Sequence, residues 1–534
     1  MSKAFDRVEW PFLRAIMLKL GFPNCWVERV MDCITSAQFK ALINGKSTET
    51  ITPQRGLRQG CPLSPYRFLL CAEGFSALLH SANKRGRLKG IACSRYAPKI
   101  NHLLFADDSL IFGEANEATC SEIKETLRLY EMASGQAINF HKSSISFSPN
   151  VSTDLKLSIN NWLEIGYDSP HEVYLGLPSF TIKNKRLIFN KMKEQVWKKL
   201  QSWKSKLFSF GGREILIKAV AQATSVFTMS VFKLPQRLID ELNATMMRFW
   251  WGGNNDKRCI HWANKCLLSK SKLHGGMGFR NLSAFNKALL AKQGWRIITH
   301  SNSLMARVLK AKYFHNCDFL MAQASPNSSY IWRSILWGRD LLKLGLRWRI
   351  GNGNSVRVFG DPWLPRPISF QAITSPNPNL AATRIVELLT EDGSWNWEKI
   401  NSILWSIDYH LILEMPPCST KFDDALIWHW DKKGSYSVKS GYVTTTQGES
   451  NVASSSNGGF NLWWKKLWSC KIPNKLKTHA WRAFHSALLT RSSLAKRGIL
   501  SNSICPCCME DIECETHALW LCVFAQESWR ISSL

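Results

Sequence analysis

Acidic residues are scarce in this sequence. Of 534 residues, 40 are Asp or Glu against 69 Lys or Arg, which leaves a net charge of +29 and a pI near 9.6. A cationic excess of that size repels itself unless it meets a polyanion. Nucleic acid is therefore the first expected partner and an anionic membrane surface the second. Long apolar runs are also missing: no uninterrupted stretch approaches the roughly 18 residues of a membrane span. The opening MSKAFDRVEW lacks the basic-then-apolar pattern of a secretory signal. Secretion and membrane insertion are disfavoured, and the expected location is intracellular, nuclear or cytoplasmic. No repeat recurs at a fixed period. What is present in quantity is apolar residues, 45% of the chain, enough to bury sizeable cores and to exclude wholesale disorder. The length suggests roughly three to four domains.

Cysteine is distributed unevenly. Of 16 cysteines, eleven lie singly between Cys25 and Cys470 and read as reduced, buried thiols of an intracellular protein. The other five, Cys505, Cys507, Cys508, Cys514 and Cys522, crowd the final thirty residues, which suits a metal site better than a disulfide framework. Cys505, Cys508, His517 and Cys522 give C-x2-C-x8-H-x4-C. Two close cysteines form a chelating knuckle, and a His and a Cys one helical turn apart complete a tetrahedron. Cys₃His is a structural Zn²⁺ set with no open position for catalysis. Cys507 and Cys514 remain as possible substitutes, and reduced thiols without metal are the alternative. Cys259, His261 and Cys266 fit no standard ligand spacing, and beside Trp262 they read as core.

Along the chain, Trp10, Leu13, Met17 and Leu20 recur at helical spacing and stop at Gly21. A Pro/Gly-marked loop from Thr52 to Pro65 runs into an apolar helix around Phe68 to Leu79. Ile100–Leu104 and Ser109–Phe112 read as strands joined by the tight turn Phe105-Ala-Asp-Asp108. A helix with Ile123, Leu127 and Tyr130 inward ends at Gly135. Ala137 to Phe147 reads as a second strand pair, and Tyr174-Leu-Gly-Leu-Pro178 as a turn. Between Lys183 and Lys218 there are eleven basic residues against Glu194 and Glu214. Such a run offers sequence-independent phosphate binding or simply a solvated helix face. Trp197 and Trp203 within it read as core. Asn352-Gly353 is a hairpin signal. Residues 444–459 are a Ser/Thr/Gly linker by composition.

Asp107 and Asp108 are chemically conspicuous. Two adjacent carboxylates repel each other, and a divalent cation removes the conflict, Mg²⁺ being a hard ion that takes carboxylates together with substrate phosphates. The dipeptide alone reads rather as a solvated turn, because turn chemistry suffices. Its neighbours alter that balance. Phe-Ala-Asp-Asp108, then a helix, then Lys142 resembles the palm of plant non-LTR (LINE-type) retrotransposon reverse transcriptases. So do Met1-Ser-Lys-Ala-Phe-Asp-Arg-Val-Glu-Trp10, Arg55-Gly-Leu-Arg-Gln-Gly-Cys-Pro-Leu-Ser-Pro65 and Tyr174-Leu-Gly-Leu-Pro178. Several motifs in one order are far more specific than any alone. His274-Gly-Gly-Met-Gly-Phe-Arg280, Asp361-Pro-Trp-Leu-Pro365 and Tyr436-Ser-Val-Lys-Ser-Gly-Tyr442 resemble the family's downstream segment. The cysteine cluster, its approach through Trp468 and Trp481, and Trp529 resemble the family's zinc-binding domain.

The resemblance implies an RNA-directed DNA polymerase of α+β class, working on an RNA template and a DNA primer with dNTP substrates. It implies a partial right-hand palm over residues 1–181 and a basic helical thumb and connection over 182–323. A Trp-rich connecting region over 324–443, the linker at 444–459, and a small helical zinc module over 460–534 would follow. Asp107 and Asp108 would bind catalytic Mg²⁺. Phe5 would be the gate against a ribose 2′-hydroxyl, Gln59 and Gly60 would lie against the incoming nucleotide, and Lys142 near the triphosphate. Tyr174, Leu175 and Gly176 would grip the primer. Without the family pattern, Phe5 and Gln59 read as packing and loop polarity. In the family, an Asp precedes the Met of the first motif. Here that position would be residue zero, and Asp6 is out of register, reading instead as a turn or helix-cap carboxylate. The expectation is an N-terminally truncated chain, without that Asp and the fingers, and inactive for that reason. A non-catalytic nucleic-acid-binding remnant, basic thumb plus zinc module, is the alternative.

Overall fold

In a computed structural model of the chain, the described residues are 3–165, 173–178, 185–203, 207–252, 259–366, 369–375, 378–415, 422–450 and 458–532. They divide into two compact units. The first comprises Met1–Lys183 with Asn302–Asn316, and the second Asn184–Ser301 with Cys317–Leu534. The segment Asn302–Asn316 thus groups with the palm-like part and not with its neighbours in the 182–323 stretch. Helices dominate, and every sheet among the described residues is a two-stranded antiparallel pair, an α+β composition.

In the first unit, α1 (Trp10–Lys19) and α2 (Asn24–Thr35) bury Leu13, Met17, Val27, Met31 and Ile34. They pack with α3 (Ser64–Lys84) through Phe68 and Cys71. A small hairpin, β1 (Leu42–Ile43) and β2 (Lys46–Ser47), precedes α3. After α3, β3 (His102–Phe105) pairs with β4 (Asp108–Ile111), Phe105 opposite Asp108. The turn is therefore only Ala106-Asp107, with Ala106 at φ 50°, and Phe105 and Asp108 belong to the strands. Next, α4 (Glu117–Ser134) buries Tyr130 against Phe75 and Leu79. Gly135 ends α4 in the left-handed conformation at φ 73°, as the sequence predicts.

Ala137 to Phe147 does not form the expected strand pair. Among the described residues the segment joins no strand ladder and contains a single turn of helix, Phe140–Lys142, held by the Asn139 side chain accepting from the Lys142 amide. The local hydrogen bond to Asn139 wins over a ladder, the usual competition between Asn and regular structure. Beyond α5 (Thr153–Leu163), β5 (Val173–Tyr174) and β6 (Leu177–Pro178) make a hairpin around Leu175 and Gly176. Both turn residues have positive φ, 50° and 77°, the requirement of a two-residue hairpin turn.

In the second unit, α6 (Lys185–Ser202) buries the stripe Phe189, Met192, Val196 and Leu200 and leaves Lys191, Lys198, Lys199 and also Trp197 exposed. Trp197 is thus not core. It lies off the 3–4 residue stripe, whereas Trp203 rests half-buried on Phe249. Two of the basic residues counted in this stretch face inward: Arg213, on α7 (Phe210–Leu216), donates to the Trp250 carbonyl, and Lys218 to Glu214 and the Met277 carbonyl. Burial lowers the pKa of both. Next, α8 (Gln236–Trp251) buries nine side chains, ending in Phe249, Trp250 and Trp251. It is followed by α9 (Leu282–Thr299) and α10 (Tyr330–Leu342). Strand β7 (Leu346–Arg349) pairs with β8 (Ala425–Trp428), more than 70 residues on. Asn352-Gly353 makes no hairpin of its own. Instead the amides of Gly351, Gly353 and Ser355 donate to the Asp424 carboxylate, which holds the bend onto the strand pair.

Between those strands sits a core of Val356, Trp363, Ile385, Leu388, Trp395, Ile400 and Ile412. The expected linker is not open from its start: α11 (Val438–Ser450) runs through 444–450, and 451–457 lie outside the described residues. Tyr436 and Tyr442 anchor this stretch on α9, donating to the Ala288 carbonyl and accepting from the Asn281 amide. The scattered cysteines are mostly surface thiols. Cys25, Cys33, Cys93, Cys266, Cys317 and Cys470 are exposed, while Cys71 and Cys120 are buried. Cys418 lies outside the described residues.

Asp408 is the most exacting electrostatic feature of the second unit. Its fully buried carboxylate receives Arg366, the amides of Ile373 and Thr374, and the Thr374 hydroxyl. Removing one partner of a buried pair leaves the other charge uncompensated, at about 3–5 kcal/mol. Asp408→Ala should therefore lower the melting temperature and expose residues 346–428 to early proteolysis. An unchanged melting curve and digest pattern would contradict this assignment.

Candidate nucleic-acid and metal sites

The segment Ala4–Trp10 is clamped on two sides. On one, Leu57 donates its amide to the Phe5 carbonyl, Gly56 to that of Val8, and Trp10 Nε1 to that of Gly56. On the other, the Glu9 amide donates to Ser134 and Gln136 Nε2 to the Ala4 carbonyl. The glycines make this approach possible: a Cβ on Gly56 would stand 2.7 Å from Asp6 O, and one on Gly135 2.5 Å from Arg7 O. The clamp puts Phe5 and the 55–60 loop together. Phe5 is half-buried, stacked on Phe68 with centroids 4.8 Å apart. Gln59 Nε2 donates to Asp6 Oδ1 at 3.2 Å. Asp6 is thus no helix cap, since Glu9 holds that place. It lies in the 3–7 turn and positions Gln59. Gly60, at φ 84°, has open space where a side chain would stand.

Asp107 and Asp108 are both exposed, at the tip of β3–β4. The hairpin is fixed from below by Asn101 Nδ2 on the Leu79 carbonyl and His102 Nε2 on Ser76 Oγ, 3.0 Å apart. Tyr174 stands near enough that, after burial, the Asp108 carboxylate is the second influence raising its phenol pKa. A negative neighbour disfavours a phenolate. The acidic tip and the 173–178 hairpin are therefore neighbours, which sequence separation alone does not reveal. Lys142 is exposed in the 140–142 turn. The two carboxylates are oxygen donors of the kind Mg²⁺ takes with substrate phosphates. Among the described residues no third acidic ligand joins them: the one group of three or more His, Cys, Asp or Glu ligand atoms lies elsewhere.

That group is Cys505, Cys508, His517 and Cys522, whose ligand atoms all lie within 4.8 Å of one another. Cys505 Sγ and Cys522 Sγ are 4.0 Å apart, and Cys508 Sγ and His517 Nε2 are 3.3 Å apart. Bonds of about 2.3 Å to sulfur and 2.0 Å to nitrogen in a tetrahedron give edges of about 3.8 and 3.5 Å, so one Zn²⁺ fits. The knuckle is built by a tight turn: the Cys505 amide donates to Asp511 O and Met509 to Cys505 O. Backbone amides also aim at the sulfurs, lowering the thiol pKa of Cys505 through Cys508 and of Cys508 through Asp511. On the other side, the Cys522 amide donates to His517 O, a widened turn five residues long. In a regular α-helix residues five apart diverge by about 140°, and the wide turn brings the two ligands to one face. Asp511 Oδ2 lies 4.0 Å from His517 Nδ1, beyond hydrogen-bond reach. The two spare cysteines are now distinguished: Cys514 Sγ accepts the His517 amide, and Cys507 is exposed.

The module is moored by motifs whose role the sequence leaves unassigned. Gly275, at φ 78°, brings its carbonyl to Trp481 Nε1 and His485 Nε2, both at 2.8 Å, beneath the Trp464 ring. Gly211 abuts the Asn474 backbone at the start of the Asn474–Phe484 helix, and Arg482 lies over the Phe210 ring at 4.1 Å. Large aromatics beside glycines are the signal that marks such joints. Cys259, His261 and Cys266 form no core: His261 and Cys266 are exposed, and Trp262 lies half-buried under Arg497. Trp529 donates to Leu519 O and packs on Trp520.

Comparison with known proteins agrees with both ends. Residues 1–179 match the family described as reverse transcriptase (RNA-dependent DNA polymerase), and residues 436–529 the family described as zinc-binding in reverse transcriptase. A putative ribonuclease H protein of Arabidopsis thaliana is 29% identical over 344 residues, covering 62% of this chain and 54% of that protein. An uncharacterized mitochondrial protein of the same plant is 42% identical over 143 residues, covering 27% of this chain and 93% of that protein. An uncharacterized 149 kDa protein of transposon TX1 from Xenopus laevis is 26% identical over 287 residues, covering 52% of this chain and 20% of its own length. The chain thus spans about half the length of the first of these relatives. No described helix is long and apolar enough to cross a membrane.

The ligand geometry makes a direct prediction. The purified chain should carry one zinc per molecule by elemental analysis, and Cys508→Ser or His517→Ala should lose most of it, whereas Cys507→Ser should keep it. Chelation should lower the melting temperature, because a structural site couples metal binding to folding. Full retention of zinc in Cys508→Ser would refute the ligand set.

Proposed function

The chain belongs to the reverse transcriptases of non-LTR retrotransposons and carries that family's zinc-binding domain, and from that membership we propose that its palm once served RNA-directed DNA synthesis. The observation that carries the proposal is the match of residues 1–179 to the reverse transcriptase family, together with an Asp108 carboxylate near enough to Tyr174 to raise its phenol pKa, since polymerisation needs the metal carboxylates close to the turn that steadies the primer end. In this reading residues 1–181 are a partial palm, 182–323 the thumb and connection, and 460–534 the zinc domain. Asp107 and Asp108 would hold Mg²⁺, which supplies charge stabilisation for phosphoryl transfer when bound. Tyr174, Leu175 and Gly176 steady the primer strand. Gln59, tethered by Asp6, and Gly60, with its open Cβ side, receive the nucleotide. Phe5, backed by Phe68, bounds the sugar, and Lys142 approaches the triphosphate.

Among the described residues two carboxylates stand at this site. Without a shared third ligand, metal ions and reacting groups are poorly placed, and a misplacement of ~1 Å can cost ~10²-fold. The proposed state of this polypeptide by itself is therefore a nucleic-acid binder with little or no polymerase activity. The net charge of +29 and the exposed Lys191, Lys198 and Lys199 favour binding to RNA template and DNA primer.

Primer extension on an RNA template with Mg²⁺ and dNTPs separates the two halves of this proposal. The expected result is no product above background. Product that disappears in Asp107→Asn would overturn the inactivity and at the same time establish the carboxylate's role. In binding measurements the logarithm of affinity should fall linearly with the logarithm of salt, and affinity indifferent to salt would remove the nucleic-acid reading.

A further inference from the structure

The first unit has a cleft of about 730 Å³, lined by Tyr96, Pro98, Arg307, Lys310 and His315 among others. One wall is the 95–99 loop, and the other is the Leu304–Tyr313 helix and its exit. Tyr96 and His315 stack on each other with centroids 5.7 Å apart and planes at 26°. Tyr96 is 68% exposed, so its second face is open to solvent, and this large ring is held in place by His315. Arg307 and Lys310 are three residues apart, on one face of the helix. Neither is in an ion pair with any described residue.

The surroundings are one-sided in charge. Residues 84–99 contain six Lys or Arg and no acid, and residues 302–316 contain three and no acid. Arg85 and Arg87 are partly answered by Glu122, which leaves Lys89, Arg95 and Lys99 of the 84–99 stretch without an ion pair to a described residue. A rigid ring with one free face, flanked by unpaired cations, is the arrangement that binds single-stranded nucleic acid: a base stacks while the cations follow the phosphates. A duplex keeps its bases stacked inside and cannot use the ring. A cleft of this volume holds about a nucleotide or two, within the range of ordinary small-ligand sites.

We propose that this cleft is a docking subsite for single-stranded nucleic acid, in which an unstacked base lies on Tyr96 and the adjoining phosphates meet Arg307 and Lys310. The proposal rests on the nucleic-acid-binding reading above and adds a location and a strand preference to it. The experiment is fluorescence anisotropy of the full chain with a labelled single-stranded 20-mer, as RNA and as DNA, and with the matching duplex, over a salt series.

Tyr96→Ala should weaken single-strand binding roughly 5- to 100-fold and leave duplex binding nearly unchanged, while Tyr96→Phe should retain the wild-type affinity. The double variant Arg307→Ala/Lys310→Ala should make the single-strand salt slope shallower by about 1.4, at roughly 0.7 per phosphate contact. Equal weakening of the RNA and DNA arms is the expected result, because stacking and phosphate contact ignore the 2′-hydroxyl. If the wild-type chain binds with the expected salt dependence but the variants match it in affinity and slope, the cleft is not the site and the broader reading survives. If the wild-type chain binds no strand at any salt, both fail. If Tyr96→Phe is as weak as Tyr96→Ala, or the duplex loses as much as the single strand, stacking on the ring is refuted. Photocrosslinking of 5-iodouracil oligonucleotides to the wild-type chain checks the location independently of any variant. Peptides containing Tyr96 or His315 should carry the label, and label confined to other peptides would overturn the assignment.

Discussion

The first unit depends on the clamp around residues 4–10. Backbone hydrogen bonds from Gly56 and Leu57 on one side, and contacts with Ser134 and Gln136 on the other, bring together three segments far apart in the chain. Neither side tolerates a side chain at its closest point, because Gly56 and Gly135 stand where a Cβ would meet carbonyl oxygen. Both glycines also have positive φ, 90° and 73°, so the constraint is conformational as well as steric. From this clamp follow the stacking of Phe5 on Phe68 and the tether of Gln59 to Asp6. Glycine here sets a position for other residues without touching any ligand itself.

The second unit shows the same economy with different chemistry. Its zinc-module ligands are carried by a knuckle and a widened turn, two irregular elements that a regular helix or strand could not replace. The module is held by Trp464, Trp481 and His485 converging on the Gly275 carbonyl. Burying indole and imidazole demands a hydrogen-bond partner for each N–H, and one backbone oxygen with two lone pairs serves both. That explains why a glycine-rich motif far upstream matters to the last helices. Part of the positive charge in the 183–218 stretch likewise cements the core, Arg213 and Lys218 donating to the Trp250 and Met277 carbonyls, and Lys193 pairs with Glu241, while Lys191, Lys198 and Lys199 are exposed.

Much of the candidate site was legible in the residues. The acidic tip, the hairpin at 174–178, the apolar helix before the tip and the Cys₃His spacing all stand where pattern places them, because each is determined locally: two-residue periodicity for strands, a glycine after a helix, close cysteines for a knuckle. Ala137–Phe147 alternates like a strand but finds no partner strand among the described residues and folds around Asn139. Asn352-Gly353 has hairpin chemistry, yet Asp424, some 70 residues on, takes its amides. Trp197 is large and apolar, yet lies off the buried stripe of its helix. For Asn352-Gly353 the deciding partner is remote; for Ala137–Phe147 a local side-chain bond wins, and for Trp197 packing decides which face of the helix is buried.

The sequence by itself determined the chemistry available to this protein: a polycationic chain, two adjacent carboxylates on a short hairpin, four soft ligands at metal spacing, and motifs in one family's order. Those properties are additive over residues or confined to a few neighbours, so they survive without a fold. Only the tertiary structure decided which of them meet. It set Tyr174 near Asp108, left Cys507 exposed outside the four-ligand cluster, placed Asp6 in a turn where it supports Gln59, and built a cleft from Tyr96 and His315, over two hundred residues apart. Such meetings arise from close packing and from satisfying buried hydrogen bonds, which are properties of the whole folded chain.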